Sequence, residues 1–361
     1  MAGPLHGLKI VELAGLGPGP FAAMMLADHG ATVTRVERAG MIGVSNDPLL
    51  RNRRSISLDL KREECREVVR KLAATADGLI EGYRPGVMER LGLGPEALIA
   101  RNPRLVYGRV TGWGQHGPLA QEAGHDINYL ALTGLLHAIG EKDRPPVPPL
   151  NLVGDYAGGG MMLAFAMVAA LLDVGRGGAG QVIDASMSDG AALTGALIYG
   201  LRGAGLWSDE RGSNLLDGGE ALYGCYRCAD GKYVALGAIE PQFRRALLAG
   251  LRLDEDPSRE KVAAALAARP RDEWVEVFAA SDSCVAPVLT MGEAPRHPHN
   301  VARSTFVDVE GVIQPAPAPR YSATRTDPPI APRREGADGA AILTEHGYSP
   351  AEIENILSGA P

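Results

Sequence analysis

Four side chains in this chain have the type and setting for proton transfer: His125, Asp126, Asp155 and Glu240. A histidine is a base near neutral pH. His125 and Asp126 follow Gly124 where a helical apolar pattern begins. At a helix start the Asp126 amide can stabilise a developing oxyanion. From spacing alone the structural explanation comes first, with Asp126 as an ordinary helix cap and His125 on the surface, because Asp caps are common. Asp155 follows Gly154 and precedes Gly158, Gly159 and Gly160, which admit a close backbone or ligand. It too reads as an N-cap. To serve as an acid it must be partly protonated, which a helix start opposes and burial favours. Glu240 ends a strand-like run before Pro241, where a carboxylate can orient a histidine or remain a surface charge.

Basic residues Arg38, Arg51, Arg53, Arg54, Lys61, Arg84 and Arg90 are scattered through the first hundred positions. Solvated surface explains most of them. Several fall at strand ends, where α/β folds bind ligands, and would suit a multiply phosphorylated one.

The elements that must position these groups alternate. Residues 8–13 read as a strand, 15–20 as a tight loop, 21–29 as a helix stopped by Gly30, and 31–36 as a second strand. Strands at 55–60, 78–81, 105–111 and 181–184, with helices between, predict a largely parallel sheet. One helix is expected from His125 to Leu136 and another from Asp155 to Leu172. Further on, 222–239 is strand-like, and 241–251 and 270–281 are helical. The expected fold class is α/β. A large Rossmann-like domain spans 1–186 and 331–361, and a smaller α+β domain spans 222–310. Linkers at 187–221 and 311–330 join them, the second proline-rich.

Composition and motifs narrow the function. The 361 residues are 45% hydrophobic and 22% charged with a net charge of −7, an ordinary globular mixture without a broad basic surface for nucleic acid. The apolar run at 158–172 is shorter than a membrane span, and a buried core helix is expected. With no signal peptide visible, a soluble cytoplasmic protein is expected. The loop Gly15-Leu16-Gly17-Pro18-Gly19-Pro20 breaks the dinucleotide fingerprint at its last glycine, and its prolines remove amides a pyrophosphate would need. Cys225 and Cys228 form a C-x-x-C on a strand pattern, where positions three apart face opposite sides, so zinc is not expected. His297 and His299 lack further ligands at metal-site spacing. No nucleophile elbow or phosphate-binding Walker loop occurs.

The ordered set of motifs resembles the class III CoA-transferase superfamily, on its α-methylacyl-CoA racemase branch. It comprises Leu8 to Leu13 with Gly17-Pro18, Arg53 to Lys61, Tyr83-Arg84-Pro85-Gly86-Val87, Gly112-Trp113-Gly114-Gln115, Gly124 to Tyr129, Gly154-Asp155, Ile342-Leu343 and Gly347-Tyr348. The resemblance covers nearly the whole chain. It implies an isomerase of fatty acid metabolism that interconverts (2R)- and (2S)-2-methylacyl-CoA by 1,1-proton transfer through an enolate. His125 and Asp155 would flank C2, the Asp126 amide would hold the thioester oxygen, and Glu240 would contact the histidine. CoA would lie near Arg38, Leu58, Asp59, Leu60, Lys61, Gly82, Tyr83, Arg84, Arg90, Gly124 and Tyr129, with Gly82 standing where the family often has asparagine. CoA is part of the substrate, so no separate cofactor is implied. The resemblance also implies an interlocked homodimer. In the transferases of the superfamily the residue matching Asp126 is a nucleophile, which makes a transferase the alternative. The histidine before it is characteristic of the racemases. A CoA-binding homologue without chemistry is a third reading, and intact His125 and Asp155 argue against it.

Overall fold

A computed structural model describes residues 2–38, 40 and 46–358. In chain order the first elements are β1 (Lys9–Leu13), α1 (Pro18–Asp28), β2 (Thr32–Glu37), β3 (Arg53–Ser57), α2 (Glu63–Thr75), β4 (Gly78–Glu81), α3 (Val87–Arg90), α4 (Pro95–Arg101) and β5 (Val106–Thr111). Next come α5 (Asp126–Leu132), α6 (Leu135–Ala138) and a π-helix (Leu152–Met161) that runs directly into α7 (Met162–Gly175). They are followed by β6 (Val182–Ser186), α8 (Met187–Thr194), α9 (Ala196–Gly203), β7 (Tyr223–Arg227), β8 (Tyr233–Gly237), α10 (Pro241–Leu251), α11 (Arg259–Leu266), α12 (Arg271–Phe278), β9 (Val285–Val288) and α13 (Pro298–Ala302). The last elements are β10 (Phe306–Val309), β11 (Val312–Pro315), α14 (Gly339–Glu345) and α15 (Pro350–Ser358).

The six strands β1 to β6 form one parallel sheet in the order β3-β2-β1-β4-β5-β6. Its central strands β1, β4 and β5 are buried on both faces, as a parallel sheet covered by helices on both sides requires. Along β1, Val11 and Leu13 enter one core and Ile10 the other. On β4, Leu79 and Ile80 divide the same way. Helix α2 covers the first face with α14 and α15, through Val68, Leu72, Ile342, Leu343 and Ile356. Helices α1 and α7 cover the second, through Leu26, Leu163 and Met167. The α/β class and the closing role of the chain end match the sequence reading. The chain leaves β1 toward β2 and β3 on one side and continues through β4, β5 and β6 on the other. This reversal between β1 and β4 opens a crevice at the strands' carboxyl ends.

Contacts divide the chain into two compact units, Met1–Thr133, Leu150–Gly195 and Phe306–Pro361 in one, Gly134–Pro149 and Ala196–Thr305 in the other. The expected boundaries are corrected at several places, among them residues 196–221, expected as linker but part of the second unit, and 306–310, expected in the smaller domain but part of the first. The segment 134–149 belongs to the second unit, because the Arg211 guanidinium donates to the carbonyls of His137 and Glu141 at 2.6 and 3.0 Å and also to that of Arg144. Helix α8, expected in a linker at 187–221, belongs to the first unit. The stretch 311–330 is no free linker. Its Gln314 and Pro315 accept from Arg51 at 2.8 and 2.7 Å, and Ile330 exchanges hydrogen bonds with Asn52. The second unit packs the antiparallel β7-β8-β9 sheet against α10, α11 and α12 around Val234, Leu247, Val262 and Trp274.

The expectation for the long apolar segment also needs revision. The π-helix and α7 together are long and apolar enough to cross a membrane, with a mean hydropathy of 1.8. Only one side is buried here, through Leu163, Met167 and Val174. Met161, Phe165, Val168 and Leu172 form an exposed apolar stripe at 4-, 3- and 4-residue spacing.

Candidate active site

The crevice holds a cavity of about 510 Å³. It is lined from the ends of β1, β4 and β5 by Leu16, Pro18, Gly82, Arg84, Thr111 and Trp113, and from α5 by Gly124, His125 and Tyr129. His125 is exposed and occupies the N-cap of α5. Asn128 holds it there, accepting the His125 N–H on Oδ1 at 3.0 Å and returning its own N–H to the His125 carbonyl at 2.8 Å. The cap residue is therefore His125 and not Asp126, because Asp126 already has helical backbone. The expected single helix from His125 to Leu136 is two helices, broken at Thr133 and Gly134, where Gly134 takes φ +74°.

The ring of Tyr129 is packed edge-on to Trp113, with centroids 4.8 Å apart, and its hydroxyl donates to the Gly124 carbonyl. That packing explains two glycines. A Cβ on Gly112 would stand 2.1 Å from the ring and one on Gly124 2.7 Å. Burial pushes the Tyr129 phenol up, and the nearby Asp155 carboxylate adds to this. Tyr129 thus lines the cavity while its hydroxyl holds the turn that presents His125.

Asp155 lies in the first turn of the π-helix and is half-buried. It is not the cap of this segment, as the sequence led us to expect; Asn151 takes that place. The Asn151 amide donates to Asp155 Oδ2 at 3.3 Å. A Cβ on Gly17 would lie 3.3 Å from the same oxygen, so Asp155 abuts the loop whose Leu16 and Pro18 line the cavity. Burial raises the Asp155 carboxyl from its ordinary value; Asp126 adds to the rise, while Asn151 and His125 oppose it. The tension seen in the sequence is therefore decided by desolvation.

Sequence reasoning missed how Asp126 is used. Its carboxylate is only 5% exposed and accepts the Asp155 N–H on Oδ2 at 2.7 Å. Gly154 makes room for it, since a Cβ there would stand 2.7 Å from that oxygen. The signal was present as Gly154 before Asp155, but nothing in the spacing pairs residues 29 apart.

The basic candidates separate by burial. Arg51 is locked on Asp28 at 2.5 Å, Arg53 on Glu12 at 2.7 Å, and Arg54 on Glu345 at 2.7 Å, so none is available to phosphates. Arg38, Lys61, Arg84 and Arg90 are exposed and carry no ion pair among the described residues. They follow β2, β3 and β4 at the ligand-binding end of the sheet. Leu58 is a core residue and Leu60 packs beside it, so these two can offer a ligand mainly backbone. Asp59 accepts the Lys61 N–H at 3.0 Å and shapes that turn. Tyr83 packs on the same core and donates its N–H to the buried Glu81 at 2.7 Å. Gly82 is exposed. Glu240 belongs to the second unit, as the exposed N-cap of α10. Cys225 is exposed and Cys228 buried, as the strand alternation predicted.

The chain is 46% identical to a mouse alpha-methylacyl-CoA racemase over 98% of its length and 96% of that protein's. It is 45% identical to a human alpha-methylacyl-CoA racemase, again over 98% of this chain and 96% of that one. A crystal structure of a CAIB/BAIF family protein from Brucella suis superposes with a TM-score of 0.82 at 29% identity, covering 96% of this chain and all of the other. The sequence pattern of CoA-transferase family III matches residues 5–338, and the chain belongs to that family.

Proposed function

We propose that this protein is a racemase that interconverts (2R)- and (2S)-2-methylacyl-CoA thioesters, with His125 and Asp155 as its acid/base pair. The observation that carries the reading is the raised Asp155 carboxyl beside a cavity whose wall presents His125. A thioester α-proton is weakly acidic, so its removal needs a base and a stabilised enolate oxygen. Inversion needs a second group on the opposite face to return the proton, and each group must exchange roles between directions. An ordinary surface aspartate would be almost wholly ionised near neutrality and a poor acid. Desolvation gives Asp155 a larger protonated fraction. The Asp126 amide, on the first helical residue of α5, is free of intrahelical partners and would donate to the thioester oxygen. Arg38, Lys61, Arg84 and Arg90 would meet the CoA phosphates. The chemistry needs neither metal nor redox cofactor.

The exposed stripe of α7 supports a homodimer, since an apolar helix face of that length is normally covered. Four unpaired cysteines fit a cytoplasmic setting. The function is tested by incubating one enantiomer of a 2-methylacyl-CoA in deuterated water. Deuterium at C2 and loss of optical purity are expected without any acceptor acid. Absence of both after long incubation, with an acyl-enzyme trapped by hydroxylamine, would establish the transferase alternative instead.

A further inference from the structure

Within the racemase reading the Asp126 side chain has no assigned task, since only its amide touches the substrate. The structure gives it one. Asp126 is covalently next to His125 and hydrogen-bonded through Oδ2 to the Asp155 N–H at 2.7 Å. The two acid/base groups come from segments 30 residues apart in sequence, α5 and the π-helix. The bond between them is nearly dry, because Asp126 is 5% exposed and Gly154 is fully packed against its carboxylate. A charge-assisted hydrogen bond in such a setting is short and directional.

We propose that the Asp126 carboxylate is a positioning residue that links the start of α5 to the start of the π-helix and so fixes the separation of His125 and Asp155 across C2. The inference rests on the racemase reading and deepens it. The Asp126 carboxyl is turned into the protein, with Oδ2 on the Asp155 N–H and the buried Oδ1 without a partner among the described residues.

A second effect follows from charge. The groups facing the Asp155 carboxyl are Asn151 on its own segment, His125, Asp126 and Tyr129 on α5, and uncharged Gly17 before α1. Of these Asp126 brings the second carboxyl. It therefore favours the protonated form of Asp155, adding to desolvation.

The variants Asp126→Asn and Asp126→Ala separate the two effects. Asparagine keeps a carbonyl acceptor for the Asp155 N–H and removes the charge. Its kcat against pH should therefore keep its shape while the limb belonging to Asp155 moves to lower pH, with KM for the acyl-CoA unchanged. Alanine removes the link, and kcat should fall about a hundredfold, the scale expected for misplacing a reacting group by about 1 Å, again with little change in KM. Superimposable pH profiles for wild type and Asp126→Asn, or full kcat in Asp126→Ala, would overturn the proposal. So would a rise in KM alone, which would make Asp126 a binding residue. Carbon NMR titration of the Asp155 carboxyl in labelled wild type and Asp126→Asn gives a readout independent of turnover. A downward shift in the variant supports the proposal and an unchanged midpoint overturns it, even if alanine prevents folding. Lack of deuterium exchange by the wild type overturns the racemase reading separately.

Discussion

Gly190 of α8 lies directly on Gly158 of the π-helix: a Cβ on Gly190 would stand 1.9 Å from the Gly158 carbonyl oxygen. The reverse approach is also tight, since a Cβ on Gly158 would reach 2.5 Å from the Ala191 nitrogen. The π-helix carries Asp155, so this joint helps to set where that carboxyl sits against the Gly17 loop. π-helical turns are rare and concentrate at functional sites.

Gly190→Ala should therefore cost about 1–3 kcal/mol, the usual range for overpacking. It should also lower kcat more than it changes KM, because the π-helix must shift. Gly200→Ala is the control. Gly200 lies within α9 with nothing close to its missing Cβ, and alanine there should add about 0.5–1 kcal/mol of stability. Urea unfolding and steady-state kinetics of both variants check this, and equal effects would refute the joint.

His125→Ala and Asp155→Ala should each reduce racemisation by about 10²–10⁴-fold, the range for a positioned acid or base. Neither side chain is fully buried, so the fold should survive. Calorimetry with CoA should show binding retained in both. Loss of binding would reassign the residue concerned.

Removal of one exposed arginine and of one buried arginine should have unlike consequences. Arg84→Ala should weaken CoA binding about tenfold or more, from the loss of one hydrogen bond to a charged group. Its stability should be unchanged. Arg53→Ala should destabilise the fold by about 3–5 kcal/mol, by leaving Glu12 buried without one of its two arginines. Thermal unfolding and CoA titration of the two variants distinguish these outcomes; weaker CoA binding in a fully stable Arg53→Ala would place Arg53 in the site.

In the second unit, Arg271 holds Glu293 at 2.9 Å, and this pair with the Thr290 N–H keeps the Glu293 carboxyl down to about 2. Its unfolded value is about 4.3. A depressed folded value stabilises above the unfolded one, and the contribution is lost as pH falls toward about 2. Glu293→Gln should therefore be less stable than wild type near neutral pH, and the gap should close as pH falls from about 4.3. A gap independent of pH in unfolding experiments would show that charge is not its source.

The local patterns in the sequence identified most of the parallel sheet, because strands buried on both faces and amphipathic helices announce themselves by period. Strand β4 and helix α10 fall at their expected limits. The ordered motifs likewise identified the family. What the sequence left open were relations between distant residues. It did not separate Arg38, Lys61, Arg84 and Arg90 from Arg51, Arg53 and Arg54, since burial and pairing with Asp28, Glu12 and Glu345 arise only on folding. It read 311–330 as a linker from its prolines, although Arg51 and Asn52 pin that segment to the first unit. It raised the question of what could oppose the ionisation of Asp155. Only the tertiary structure answered, by half-burying that carboxyl, which raises it from its ordinary value, and by setting the Asp126 carboxyl on its backbone N–H, because desolvation and hydrogen bonds between distant segments depend on neighbours in space and not on neighbours in sequence.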